Sequence, residues 1–207
     1  MKKMKIEDFF VDKESLDINY EKVNEIIPEF GKLAESKQNP KWHSEGNAQT
    51  HTVLCVKYAK ENMIKEYDIL HQRLLMIAVL LHDIGKANTT AIGKDNNWHS
   101  YGHEFESERI ARNILWDNGV REREYICWLI RNHMEILKIV DSKHSFEKIL
   151  QMASNGCLKD LIFVKECDIT AIVTVYVHGT FVVESITYAI YHIIQKFLNI
   201  FTVFVTA

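Results

Sequence analysis

Residues 78 to 88 read AVLLHDIGKAN, which sets a histidine and a carboxylate, His82 and Asp83, directly behind an apolar run. A carboxylate among apolar side chains costs roughly several kcal/mol unless something neutralises it. A divalent metal ion does so, taking Asp83 as an anionic ligand and the neutral imidazole of His82 as a second. Two more residues complete a first set. His51 lies on the apolar stripe of an earlier helical stretch and so faces inward. Asp168 closes the apolar run LIFVKECD, where a core residue would otherwise stand. Together His51, His82, Asp83 and Asp168 form a candidate site of two histidines and two aspartates. His103 and His133 open and close later helical stretches and can hold a second ion, with Asp83 bridging. Each has a plainer reading alone: His51 as a satisfied core histidine, His103 and His133 as helix-end groups. Taken jointly, the plainer reading leaves two carboxylates buried without partners.

Helices must position these residues. In YEKVNEIIPEFGKLAES the apolar Val23, Ile26, Ile27, Phe30 and Leu33 recur at three- and four-residue steps, one helical face that Pro28 kinks or splits. HTVLCVKYAKENM puts His51, Leu54, Cys55, Tyr58 and Ala59 on one stripe. Asp68 is placed to cap ILHQRLLMIAVLLHD. Gly85 is the expected exit residue of that helix, so that His82 and Asp83 converge at its end. GHEFESERIARNILWDNG carries His103, Glu106, Ile110 and Ile114 and ends near Gly119. REREYICWLIRNHM offers Tyr125, Trp128 and Leu129 to the core, with His133 one turn beyond. The polar stretch 86–101 reads as a loop. AIVTVYVHGTFVVESIT reads as a short hairpin about His178-Gly179. The fold class read from these patterns is all-α, with room for a short β-hairpin in the C-terminal tail.

Composition excludes several classes. The 207 residues are 47% hydrophobic and 26% charged, enough apolar material for a core and too much for wholesale disorder. A net charge of −3 argues against bulk nucleic-acid binding. Cys55, Cys127, Cys157 and Cys167 form no C-x-x-C pair, so no cysteine zinc site is expected. MKKMKIEDFF lacks the apolar run of a signal peptide, and a reducing cytoplasm is the expected compartment. Residues 169 to 207 carry only two formal charges, Glu184 and Lys196. That apolar segment reads first as core, then as a homodimer contact or a membrane-associated stretch.

The segments NPKWHSEGNAQTHT, LLHDIGKANTT, SYGHEFESERIA, RNHMEI and KECDITA, in this order, resemble the phosphohydrolase domain attached to bacterial tRNA nucleotidyltransferases. That domain belongs to the metal-dependent phosphohydrolase superfamily named for its His-Asp (HD) doublet. The resemblance covers residues 39–171, between an N-terminal helical extension at 1–38 and the apolar segment at 172–207. The Gly-Ser and paired-Asp signature of the nucleotidyltransferase part is absent from the sequence. The resemblance implies a helical bundle with metals at its centre. It also implies hydrolysis of phosphoric esters, with 2′,3′-cyclic phosphates, 2′-nucleotides and simple phosphomonoesters of nucleotides or RNA ends as substrates. One or two divalent ions per chain are implied, Mg²⁺, Mn²⁺, Ni²⁺ or Co²⁺, with Fe as an alternative.

The physical chemistry of such a reaction names further candidates. A bound divalent ion lowers the pKa of water from about 15.7 toward about 7. Charge growing on phosphate oxygens calls for nearby cations. Lys86, just past the doublet, is the first candidate for catalysis and substrate binding, held on the rim. Arg109 and Arg131 are further substrate-binding candidates, against the plain reading of solvated helix arginines. Glu104 can orient a ligand or a water. His43 in WHSEG matches a family position near the site and is assigned substrate contact or proton transfer.

Two departures from the pattern stand out. Glu106 is bulky where relatives often carry a small residue. No Lys or Arg lies between Asp168 and Lys196, where relatives usually place an arginine soon after the aspartate. Three other readings use much the same residues: a one-metal 5′-nucleotidase on His51, His82, Asp83 and Asp168; a di-iron oxygenase on all six; and a non-catalytic binding module.

Overall fold

The computed structural model describes residues 5–41, 43, 45–136, 147, 151, 152, 154 and 157–176, with side chains in the last helix described as far as residue 171. The elements are a 3₁₀ turn at Ile6–Phe9, α1 (Tyr20–Ile26), α2 (Pro28–Lys32), α3 (Ala48–Glu61), α4 (Ile69–Leu81), α5 (Lys86–Thr89), β1 (Ala91–Ile92), β2 (Trp98–His99), α6 (His103–Asp117), α7 (Arg123–Asn132) and α8 (Leu158–Tyr176). Among the described residues the fold is all-α apart from one two-stranded hairpin. No described helix is long and apolar enough to cross a membrane.

Local chemistry sets the boundaries. Pro28 takes the first position of α2 and separates it from α1, because it has no N–H to continue the earlier helix. Asn19, Asn47 and Asp68 cap α1, α3 and α4, each accepting a backbone N–H from the residue three positions on. At the end of α6, Gly119 adopts φ 69°, and the N–H groups of Gly119 and Val120 donate to the carbonyls of Trp116 and Leu115. That paired closure needs the left-handed residue glycine supplies.

Helix α4 is the centre. Leu75 to Leu81 are apolar on every side and fully buried, as a helix enclosed all round requires. Helices α3, α7 and α8 pack on it, and α6 packs on α7 and α5. Each buried Leu or Ile contributes roughly 1.5–3 kcal/mol relative to exposure. Phe9, Val23, Ile27, Phe30 and Leu33 join the same core, so the N-terminal extension shares it. Arg73, buried on α4, ties that extension down: its Nη2 donates to the carbonyls of Asp12 (2.8 Å) and Ser15 (3.1 Å), and its guanidinium lies over the Phe10 ring.

The structure corrects four expectations. The stretch 86–101 is not a plain loop: it holds α5 and a hairpin pairing Ala91 with His99 and Ile92 with Trp98, with Asn96 at φ 60° in the turn. Helix α8 does not stop at Asp168 but runs on to Tyr176, so residues 171–176 are helical, not strand. Leu161, Val164, Cys167, Asp168 and Ala171 form a continuous buried face that carries the helix past the charge. In α7 the buried residues are Ile126, Cys127, Leu129 and Ile130, while Tyr125 and Trp128 are half-buried. Gly85 is right-handed (φ −67°), not a left-handed exit. Its requirement is space: a Cβ there would stand 2.5 Å from the His103 carbonyl and 2.5 Å from the Ser107 nitrogen. The hairpin expected about His178-Gly179 and the rest of the apolar tail lie outside the described residues.

Candidate metal centre

Four helix termini or faces bring the histidines together. His51 stands one turn into α3, on the buried stripe with Cys55 and Ala59. His82 follows α4 directly, His103 opens α6 and His133 follows α7. In three of the rings Nδ1 is committed to a backbone carbonyl. His82 Nδ1 lies 2.7 Å from the Val79 carbonyl, His103 Nδ1 2.9 Å from Ser100 and His133 Nδ1 2.7 Å from Ile130. A carbonyl only accepts, so Nδ1 carries the proton and Nε2 keeps its lone pair. His51 Nδ1 faces a carboxylate, Glu45 Oε1, at 2.8 Å. In all four the Nε2 points to a common centre, and this outer bonding is what holds metal-ligating histidines in orientation.

Asp83 divides that centre in two. Its Oδ2 lies 3.3 Å from His82 Nε2 and 3.6 Å from His51 Nε2, while its Oδ1 lies 3.2 Å from His103 Nε2 and 3.9 Å from His133 Nε2. Asp168 Oδ1 joins the first side, 3.0 Å from His51 Nε2 and 3.9 Å from His82 Nε2. Donors that share an ion at about 2.0–2.2 Å lie roughly 3–4 Å from one another, so these separations suit one. The buried His82 Nε2 makes no hydrogen bond among the described residues. An orphaned lone pair in that position costs free energy that a cation would recover. Two sets therefore fit divalent ions, His51/His82/Asp83/Asp168 and Asp83/His103/His133. Cys55 Sγ, 3.4 Å from His51 Nε2, closes the apolar side of the first.

Charges around the centre are strongly coupled. Burial opposes ionisation of Asp83, yet Lys86 and the neighbouring histidines hold it well below the usual carboxylate range. Asp168 behaves likewise against Lys165 and His51. Burial and the repulsion of His82 and His103 push His133 well below the ordinary histidine value, which keeps it neutral, as a ligand must be. His51 is raised despite burial, through Cys55, Asp168 and Glu45. Lys86 is raised too, its burial outweighed by Asp83 and Asp168.

A cleft of about 620 Å³ opens onto this centre. Lys86 lines it, not as a rim residue but buried: its Nζ contacts Asp83 Oδ2 at 2.7 Å and donates to Gln38 Oε1 at 2.7 Å. His43 also lines it, its Nδ1 2.7 Å from Glu45 Oε1. The hairpin forms a wall with Trp98 and His99. Glu104 lines the cleft, with Oε2 3.7 Å from His103 Nδ1. Arg109 is not there. Its guanidinium binds Glu106 one turn earlier on the exposed face of α6. Arg131 is not there either: it stacks on Phe105 and faces Glu108, beside a separate groove. In both cases the helix face that carries His103 or His133 inward points the arginine elsewhere.

Sequence reasoning missed four residues. Glu45 is a buried carboxylate joining His43 to His51. Gln38 holds Lys86 and reaches Glu45 at 3.4 Å. Ser107 Oγ accepts the Gly85 N–H at 2.8 Å, fixing the chain beyond the doublet. Lys165 is buried in the cleft, its Nζ on Asp168 Oδ2. Only Lys165 had a usable signal, since Lys165 and Asp168 share a helical face at three-residue spacing. Gln38 and Ser107 meet Lys86 and Gly85, and Glu45 meets His51, through tertiary packing.

A helical bundle whose central helix delivers a His-Asp doublet to inward-facing histidines and a distant aspartate is a metal-binding domain. Residues 43–170 match the HD domain family, and the chain belongs to it. The family is generally one of metal-dependent phosphohydrolases. Two proteins named Multifunctional CCA protein, from Actinobacillus pleuropneumoniae serotype 5b (strain L20) and serotype 7 (strain AP76), are each 34% identical to this chain over 89 residues. The match covers 43% of this chain and 20% of theirs, so the chain corresponds to about a fifth of these relatives' length.

Proposed function

We propose that this protein hydrolyses phosphoric esters of nucleotides or RNA ends, with 2′,3′-cyclic phosphates, 2′-nucleotides and simple phosphomonoesters as its substrates. The observation that carries this reading is the division of Asp83, one oxygen toward His51 and His82 and the other toward His103 and His133. A carboxylate shared in that way suits two ions, and so favours the two-ion hydrolase over the one-ion nucleotidase. The similarity to the multifunctional CCA proteins supports the choice of substrate class.

His51, His82, Asp83 and Asp168 would hold one divalent ion, and Asp83, His103 and His133 the other. Such ions supply Lewis-acid charge and bring the pKa of water from about 15.7 toward about 7. The chain's own groups do the rest. Glu45 and the backbone carbonyls fix the histidine tautomers. Lys86, positioned by Gln38 and Asp83, contacts a phosphate oxygen and offsets the charge that grows there. His43 has Nδ1 engaged by Glu45, which leaves Nε2 to pass a proton to the leaving oxygen. The hairpin wall and the buried core behind Cys55 limit water at the reacting phosphate.

The test is an ester panel of 2′,3′-cyclic, 2′-, 3′- and 5′-nucleotides with Mg²⁺, Mn²⁺, Ni²⁺ and Co²⁺. Loss of turnover in His82→Ala and Asp83→Ala is expected. Unchanged turnover in either clean variant overturns the reading, and substrate-coupled oxygen uptake with iron would assign the oxygenase chemistry instead.

A further inference from the structure

We propose that Lys165 is a second phosphate-binding cation of the cleft, one that selects for dianionic phosphomonoesters over monoanionic cyclic phosphodiesters. This rests on the phosphoester reading above and sharpens it.

Lys165 lies on α8, 5% exposed, in the wall of the cleft that opens on the metal-binding side chains. Among the described residues its ammonium has two partners, Asp168 Oδ2 and the sulfur of Met134 at 3.6 Å. Thioether sulfur is a weak acceptor, so an ammonium with three protons to place holds one strong bond in a buried setting. The carboxylate it touches is already divided: Asp168 Oδ1 faces His51 Nε2 at 3.0 Å. When Asp168 gives that oxygen to a cation, its charge is shared, and Lys165 is left with positive charge to spare toward the cleft.

The cleft's charge balance says what would use it. Among the described lining residues, Lys86 and Lys165 are the two fixed cations. They differ in supply. Lys86 is satisfied by Asp83 and Gln38, whereas Lys165 has Asp168 alone as a strong acceptor among the described residues. Asp83, Asp168 and Glu104 set three formal negative charges against the two lysines. The two divalent cations of the reading above would therefore leave a surplus of about three positive charges for the ligand. A phosphomonoester carries about two negative charges above its second pKa of about 6, whereas a cyclic diester carries one. The chain also has no Lys or Arg between Asp168 and Lys196, so Lys165 is the cation this helix contributes next to its aspartate.

The experiment compares wild type, Lys165→Gln and Lys165→Arg at pH 8. Glutamine can still donate to Asp168 but has no charge, and arginine restores the charge. Three readouts are taken: metal affinity by calorimetry, affinity of the metal-loaded protein for inorganic phosphate, and kcat/KM for a 2′-nucleotide and a 2′,3′-cyclic nucleotide. In Lys165→Gln, phosphate affinity is expected to fall about 10- to 100-fold, the range of one lost charge-assisted hydrogen bond. Monoester kcat/KM should fall by about 100-fold and cyclic ester turnover by less than about 10-fold. Arginine should recover most of both losses. A role limited to orienting Asp168 predicts something else: weaker metal binding, equal losses on both esters, and unchanged phosphate affinity at saturating metal. That pattern overturns the proposal. If wild type turns over neither ester, the hydrolase reading fails, and the phosphate titration alone decides on Lys165. Equal affinities in wild type and Lys165→Gln then overturn the proposal, and a loss restored by arginine upholds it.

Discussion

Glu45 places one buried oxygen, Oε1, 2.8 Å from His51 Nδ1, so the histidine that faces the two aspartates is itself held from behind by a carboxylate. The same oxygen reaches His43 Nδ1 at 2.7 Å. Burial works against the Glu45 charge, yet the two histidines bring its pKa down to about 2. A carboxylate behind a ligand histidine makes the imidazole a stronger donor and fixes its ring. Glu45→Gln keeps the shape and removes the charge. Its expected effect is metal affinity lower by about 10- to 100-fold, measured by competition with a chromogenic chelator, with the helical circular dichroism unchanged.

The two sides of Asp83 predict a separable stoichiometry. His103→Ala and His133→Ala remove donors from the Oδ1 side alone. Elemental analysis after dialysis should find about two ions per chain in wild type and about one in these variants, while His82→Ala should disturb the other side. Two tightly held ions in His133→Ala would contradict the division.

Gly85 tests how α6 is seated. A methyl at this position meets the backbone of His103 and Ser107, which cannot swing aside as a side chain can. Gly85→Ala should cost about 1–3 kcal/mol by overpacking and lower Tm by roughly 2–10 °C. Because His103 must move with α6, binding of the second ion should weaken more than binding of the first. A thermal melt and a metal titration on one preparation check both.

Acid should unfold the metal-free protein through its buried carboxylates. Glu45 has a folded pKa of about 2 against 4.5 unfolded. Its contribution is fully present above about pH 4.5 and is lost as pH falls toward 2. Asp83 and Asp168, also depressed, act in the same direction. Tm should therefore drop steeply across that window, and Glu45→Gln should show a shallower drop. Parallel curves for the two proteins would refute the assignment.

A second buried carboxylate provides a control away from the metal centre. Asp160 accepts from the hydroxyls of Tyr67 (2.7 Å) and Tyr125 (2.8 Å) and lies 3.1 Å from His71 Nε2. It links the start of α4 to α7 and α8. Asp160→Ala leaves those three groups without their shared acceptor, at a cost of about 1–3 kcal/mol. Stability should fall in a denaturant titration while the metal content per folded chain stays that of wild type.

The sequence by itself determined the helical class, the cap at Asp68, the break at Pro28, and the inward position of His51, His82, Asp83 and Asp168. These follow from local rules: apolar periodicity chooses the buried face, and a charged residue on that face needs a partner. The tertiary structure decided what lay between elements. It turned Arg109 and Arg131 away from the cleft, because an outward helix face is indistinguishable from a cleft-lining one until its neighbours are in place. It showed Gly85 to be a site of close approach, which depends on α6, 22 residues further along at Ser107. It carried α8 through Asp168, because packing of Leu161, Val164 and Ala171 outweighs one charge that Lys165 and His51 offset. It also brought Glu45, Gln38 and Lys165 to the centre. Periodicity marks which side chains go inside, but only the packed helices determine which of them meet.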